Sequence, residues 1–229
     1  MKNSKEEISE VRENKINDLK ELRETRISFS IILKLAILGF LSGAILGQII
    51  DIAYPMNNAL HYHYPIWEIE SLGIEICWWI PILYGTAGMI LAVSHPLLDR
   101  WTNQKPRGGF NPSWLFTTLC IGVFVVQWFM APYLSSIGVS NALLFPITII
   151  GGLLVWYFFD RTDGGLFMCI LTAICGPLVE ITLINVFSLY NYTNPDVFAI
   201  PLWILGAYIC GAPGNANLGR KYFAYLQKE

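Results

Sequence analysis

LVWYFFDRTDGGLF, Leu154–Phe167, ends a long apolar run in a cluster of aromatic residues, sets an acid beside a base, and turns apolar again almost at once. Two long apolar segments joined by so short a charged turn read as a helical hairpin whose limbs lie in hydrocarbon, where only a helix or a closed barrel satisfies the backbone. That reading gives Arg161 a place at the headgroups, where a long cationic side chain extends to the interface. It leaves Asp160 needing a partner: Arg161 beside it, the free N–H groups of the following helix, or something that docks there.

The rest of the chain agrees with a membrane setting. Of its 229 residues, 54% are hydrophobic and 14% charged, against about 25% charged in a soluble domain. Fourteen of the 32 Asp, Glu, Lys and Arg fall in the first 26 residues, so the body is nearly uncharged. The expected organisation is a polar arm over 1–26, an all-α polytopic membrane domain over 27–220 and a short cytoplasmic tail over 221–229. The arm spaces Ile8, Val11, Ile16, Leu19 and Leu22 at roughly helical intervals. It reads as a solvated helix, a weak coiled coil or a segment that orders on a partner. It is too polar for a secretory signal.

A helix needs about 20 apolar residues to cross the bilayer. Six stretches qualify: Phe29–Ile50, Ile74–Val93, Trp114–Leu134, Asn141–Phe159, Gly165–Phe187 and the shorter Val197–Cys210. Basic residues test the count independently. They precede the first stretch, recur as Arg100, Lys105 and Arg107 after the second, as Arg161 after the fourth, and as Arg220, Lys221 and Lys228 after the sixth; the alternate connections hold none. By the positive-inside rule both termini and the Arg161 turn face the cytoplasm. An odd number of spans would break the pattern.

Several motifs carry more than one reading. Gly39, Gly43 and Gly47 form a ladder of small residues that lets another backbone approach. The approaching surface is another helix of the same chain, a second copy in a homo-oligomer, or a lipid. Glu180, in the middle of the fifth span, is either a neutral, satisfied residue bonded to Thr182, Asn185 or a lipid hydroxyl, or a polar anchor in a lipid or ion cavity. Pro81, Pro146, Pro177 and Pro201 are expected to interrupt spans two, four, five and six. The tryptophans Trp67, Trp78, Trp79, Trp101 and Trp114, with Tyr84, read as interface anchors. His61 and His63 have a spacing that only weakly suggests metal, and no metal or other cofactor is expected. The five cysteines show no ligand spacing and read as core residues. No basic patch points to nucleic acid, and no GxSxG, HExxH, P-loop or dinucleotide fingerprint points to an enzyme.

Three blocks resemble the Insig (insulin-induced gene) family: CWWIPILYGTAGMILAVSHPLLDR at Cys77–Arg100, VWYFFDRTDGGLF at Val155–Phe167, and YNYTNPDVFAIPLWI at Tyr190–Ile204 followed by NANLGRKYFAYL at Asn215–Leu226. The resemblance implies a six-span regulatory protein holding a neutral lipid in its bundle, an oxysterol in animals and a diacylglycerol-like lipid in bacterial relatives. It implies a membrane-protein partner engaged at the cytoplasmic edge through Asp160 and Arg161. It places Trp156 on the lipid-proximal face. Phe124, Gln127 and Glu180 are further candidate lipid contacts read from this chain itself, Glu180 as an intramembrane carboxylate where the family counterpart is not one. It implies the endoplasmic reticulum in a eukaryote and the plasma membrane in a bacterium. The chain departs from animal members in span three, where VVQWFMA offers Gln127 as the only polar residue, and at Leu143, where they carry Gln. Set against this is a small-molecule or proton-coupled transporter that uses Glu180.

Overall fold

A computed structural model describes residues 27–228; the helical spacing expected before residue 27 lies outside them. Among the described residues six long helices run back and forth: α1 Phe29–Asp51, α2 Ile80–Thr102, α3 Trp114–Ser136, α4 Asn141–Phe159, α5 Asp163–Asn185 and α6 Ile204–Leu226. Three start on a hydroxyl that accepts from an otherwise orphaned N–H: Ser28 from Ile31, Ser113 from Phe116 and Thr162 from Gly165. The outer connections add two small antiparallel ribbons that a purely helical reading did not foresee. Strand β1 (Leu60–Tyr62) comes first; β2 (Trp67–Ile69) pairs with β3 (Ile74–Ile76), and β1 pairs with the distant β4 (Tyr190–Tyr192). The register sets Leu60 opposite Tyr192 and Tyr62 opposite Tyr190, tying the loop after α1 to the loop after α5.

Spans one, three, four and five lie where expected, within a few residues. Spans two and six do not. Ile74–Ile76 belongs to β3, so the second helix starts later and runs on through His95, Pro96 and Asp99. The sixth starts at Ile204, runs through Arg220 and stops at Leu226, so no separate tail begins at 221. The cause is position. Helix α6 packs against all five other long helices, and most of its residues are buried. A helix that faces protein rather than lipid has no need of a greasy surface, and five helices, not this one, are apolar enough to be recognised as spans. Its small residues serve close approach instead. A Cβ added at Gly206 would lie 2.2 Å from the backbone carbon of Thr148, and one at Gly219 would lie 2.6 Å from the Ala92 carbonyl oxygen.

The glycine ladder of α1 is used within the chain. Added Cβ atoms would meet Ala92 at 2.7 Å from Gly39, the Tyr84 carbonyl oxygen at 2.4 Å from Gly43, and the Tyr84 Cβ at 2.1 Å from Gly47. All three contacts are to α2. Pro146 and Pro177 are inside helices as expected, but Pro81 sits in the first turn of α2, where it is tolerated, and Pro201 precedes α6.

Candidate functional site

The cytoplasmic end is built on the turn that opened the sequence reading. Asp160 ends α4, Arg161 adopts a left-handed φ of 63°, and Thr162 caps α5. The Asp160 carboxylate points inward and accepts from the Thr162 N–H at 3.0 Å and the Thr162 hydroxyl at 2.5 Å. Its principal partner comes from far along the chain: Arg220 Nη1 lies 2.9 Å from Asp160 Oδ2, while Arg220 Nε and Nη2 donate to Asp99 at 2.6 and 2.8 Å. One guanidinium thus joins the ends of α2, α4 and α6. Burial would raise the Asp160 pKa, but Arg220, His95 at 4.0 Å and the Thr162 hydrogen bond together hold it below its ordinary value of 3.8. His95 is buried beside this cluster. Arg220, expected as a loop charge, is a buried residue of α6.

Outside this cluster, Arg161 is exposed, and its guanidinium lies 5.1 Å from the Tyr157 ring centre, with that of Arg107 5.7 Å away. The Arg107 N–H donates to the Asp160 carbonyl at 2.9 Å. Asp160 itself is 0% exposed. The expectation that its carboxylate is presented to a docking protein is therefore corrected: burial and Arg220 occupy it, and the neighbouring surface is Arg161.

The outer end holds two more buried acids. Asp51 accepts from the Tyr62 hydroxyl at 2.6 Å and the Tyr84 hydroxyl at 3.2 Å; Glu180 accepts from the Tyr192 hydroxyl at 2.5 Å and the Tyr208 hydroxyl at 2.6 Å. The β1–β4 ribbon supplies Tyr62 and Tyr192, which is why that pairing matters. Burial, followed by the nearby Glu180 charge, pushes Tyr192 well above 10.0, and burial with Asp51 does the same for Tyr62. Both remain protonated donors. Between the acids is a chamber of about 20 Å³, lined also by Tyr54, Trp79, Trp128 and Tyr190. That is room for about one water molecule.

Beside the chamber is a much larger cavity of about 640 Å³, within the range of small-molecule sites. Its walls come from α2 (Ile82, Ala87, Leu91), α5 (Leu171, Cys175, Val179), α3 (Phe124, Trp128) and α6 (Tyr208, Asn215). Helices α2 and α5 meet at their cytoplasmic ends, where a Cβ on Gly164 would be 3.1 Å from Leu98 Cβ, and separate outward to leave this space. The lining is predominantly apolar, and Trp78 and Ile82 on its rim are exposed.

The sequence-expected contacts divide accordingly. Phe124 lines the large cavity. Gln127 donates instead to the Thr148 and Gly206 carbonyls at 2.9 and 3.1 Å, joining α3, α4 and α6. Trp156 donates to the Thr162 carbonyl at 3.0 Å near the cytoplasmic turn. Glu180 lines the small chamber; its partners are the two tyrosines, whereas Thr182 and Asn185 bond backbone carbonyls. His61 and His63 face different partners, Glu75 with Asn58 and Asn191 with the Ser188 carbonyl. Tyr84, Trp128 and Tyr208, which join chamber to cavity, were missed as site residues. Trp128 and Tyr208 lie on spans without an acid, so no local pattern in the sequence marked them.

The chain matches the family model described as insulin-induced protein (INSIG) over residues 33–223. It is 25% identical over 183 residues to the insulin-induced gene 1 protein of Danio rerio, covering 80% of this chain and 69% of that protein. It is likewise 25% identical over 187 residues to the insulin-induced gene 2 protein of Gallus gallus, covering 81% and 79%. Among solved structures it superposes on a mycobacterial Insig homolog from Mycobacterium vanbaalenii with TM-score 0.68 and 18% identity, over 87% of this chain and 97% of that one. At that identity the likeness is one of fold. A cross-linked trimer of the same homolog has also been solved.

Proposed function

Because this chain belongs to the INSIG family, regulatory proteins that cross the membrane several times, we propose that it binds a neutral lipid, a sterol or a diacylglycerol, in the cavity between α2 and α5, and that occupancy governs a membrane-protein partner at the cytoplasmic edge. The observation that carries this is the cavity itself: about 640 Å³, walled mainly by apolar side chains and bordered by exposed apolar residues. An apolar ligand reaches such a site sideways from the bilayer. Phe124 contributes to the wall. Trp156, Gln127 and Glu180 act one step back, by fixing the helices that form it.

At the cytoplasmic edge the surface offered to a partner is Arg161 with Tyr157 and Arg107, while Asp160 is a positioning residue that holds the turn from beneath. Because Arg220 ties that turn to α2, a ligand spreading α2 from α5 has a mechanical route to it. The trimer of the mycobacterial homolog supports self-association of this chain as well. The transport reading finds less support, since Glu180 is held by two tyrosines beside a chamber with room for about one water.

Lipid extracted from protein purified in mild detergent, quantified by mass spectrometry, tests the proposal. The expected result is one neutral lipid per chain, depleted when Ala87 and Leu171 are both replaced by Trp to fill the cavity. Equal neutral-lipid content in the filled variant and the native chain would contradict it.

A further inference from the structure

The large cavity and the small chamber share a wall made of Trp79, Leu83, Tyr84, Trp128 and Tyr208. Trp128 is 3% exposed and Tyr54, on the chamber side, 2%. The Trp128 indole N–H and the Tyr54 hydroxyl have no hydrogen-bond partner among the described residues. Buried polar groups are almost always paired, so two such orphans lining one chamber call for an occupant. Its chemistry is constrained by what surrounds it. The indole N–H is a donor only and needs an oxygen, which a bare cation does not provide. The surrounding carboxylates and tyrosine oxygens accept, so an occupant that also donates is preferred. No Lys, Arg or His lines the chamber among the described residues, which disfavours an anion between Asp51 and Glu180. A group that accepts and donates, is uncharged and is the size of one oxygen is a hydroxyl or a water molecule, and the wall that the chamber shares with a lipid-sized cavity favours a hydroxyl carried by the cavity's ligand.

We propose that this wall is a specificity site for lipids carrying a free hydroxyl, with Trp128 donating to the hydroxyl oxygen and the acid-held tyrosines Tyr84 and Tyr208 accepting its proton in a hydrogen bond. The inference rests on the lipid-binding reading above and narrows it to alcohols as against their esters. Capping the hydroxyl removes the donor and adds an acyl group that a space of about 20 Å³ does not admit. Asp51 and Glu180 take part indirectly: by accepting from Tyr84 and Tyr208 they turn each phenol oxygen into a fixed acceptor.

The test compares two matched pairs for binding to the purified full chain in detergent: 1,2-dioleoylglycerol with its 3-acetyl ester, and a hydroxysterol with its acetate. In at least one pair the alcohol is expected to bind about tenfold or more tightly than the ester, since a site built around a hydroxyl rejects a ligand lacking it. The pair that shows this identifies diacylglycerol or sterol as the source. Trp128→Phe is expected to bring the ratio within about threefold. Equal binding of alcohol and ester to the native chain overturns the proposal and leaves lipid binding standing. No binding of any of the four overturns both. The native comparison decides even if the Trp128 variant does not fold.

Discussion

Replacing Arg220 by Met is expected to destabilise the protein more than removing either acid it holds. Arg220 is 1% exposed and sits between Asp99, at 2.6 and 2.8 Å, and Asp160, at 2.9 Å. At an effective dielectric near 20, each charge pair is worth about 4 kcal/mol at 4 Å, offset by desolvation. Arg220→Met keeps an unbranched stem but leaves two carboxylates buried without a cation. Breaking a buried pair from one side costs about 3–5 kcal/mol, and the upper part of that range applies where two acids are orphaned together. Asp99→Asn leaves Arg220 and Asp160 as a balanced pair and is expected to cost about 1–3 kcal/mol. Removing all three charges, in Arg220→Met with Asp99→Asn and Asp160→Asn, should recover much of the loss. The assay is unfolding in mixed micelles of increasing denaturing detergent, followed by tryptophan fluorescence. An Asp99→Asn variant as unstable as Arg220→Met, or an Arg220→Met variant within about 1 kcal/mol of native, would refute the charge argument.

The same unfolding assay reports on Asp160 by pH. Its depressed pKa contributes stability that is present in full above the unfolded value near 3.8 and is lost as pH falls below it through the folded value, so Asp160→Asn should flatten part of the acid limb. Gly206→Ala forces a Cβ to within 2.2 Å of the Thr148 backbone and should cost about 1–3 kcal/mol by separating α4 from α6; an unchanged unfolding midpoint would mean that the crossing is looser than described. Cys175 lines the large cavity and is exposed, whereas the Cys77 thiol is pushed up to about 12 by burial and then by Asp51. A membrane-permeant maleimide should therefore modify Cys175 first, at a rate that added ligand lowers, and peptide mass mapping distinguishes the two.

The spans that contact lipid along most of their surface were readable from sequence because hydrophobicity reports on lipid contact. Helix α6 was misplaced for the same reason, since GAYICGAPGNANLGR is chosen for contact with protein. The start of α2 was misread because the apolar residues Ile74 and Ile76 belong to a ribbon on the outer face. Within the site, the acids announced themselves: Asp160 and Glu180 stand out against an uncharged background. Their partners did not. Arg220 and Tyr208 come from α6 and Tyr192 from the β1–β4 ribbon, and contacts between elements so far apart leave no local pattern. Glycines 39, 43 and 47 showed that something comes close to α1; only three-dimensional geometry identifies it as α2.

Helix α6 follows the other five long helices along the chain and is in contact with every one of them. Until it emerges, five greasy helices enclose a gap, Asp99 and Asp160 await their counter-ion, and Glu180 has lost one of its two phenols. On its own, a segment rich in Gly, Ala and Asn with an arginine near one end has little tendency to stay in hydrocarbon. Completion of the bundle is thus the event that neutralises its stranded acids, and a chain cut short before Ile204 would keep Asp99 and Asp160 without the cation that α6 supplies.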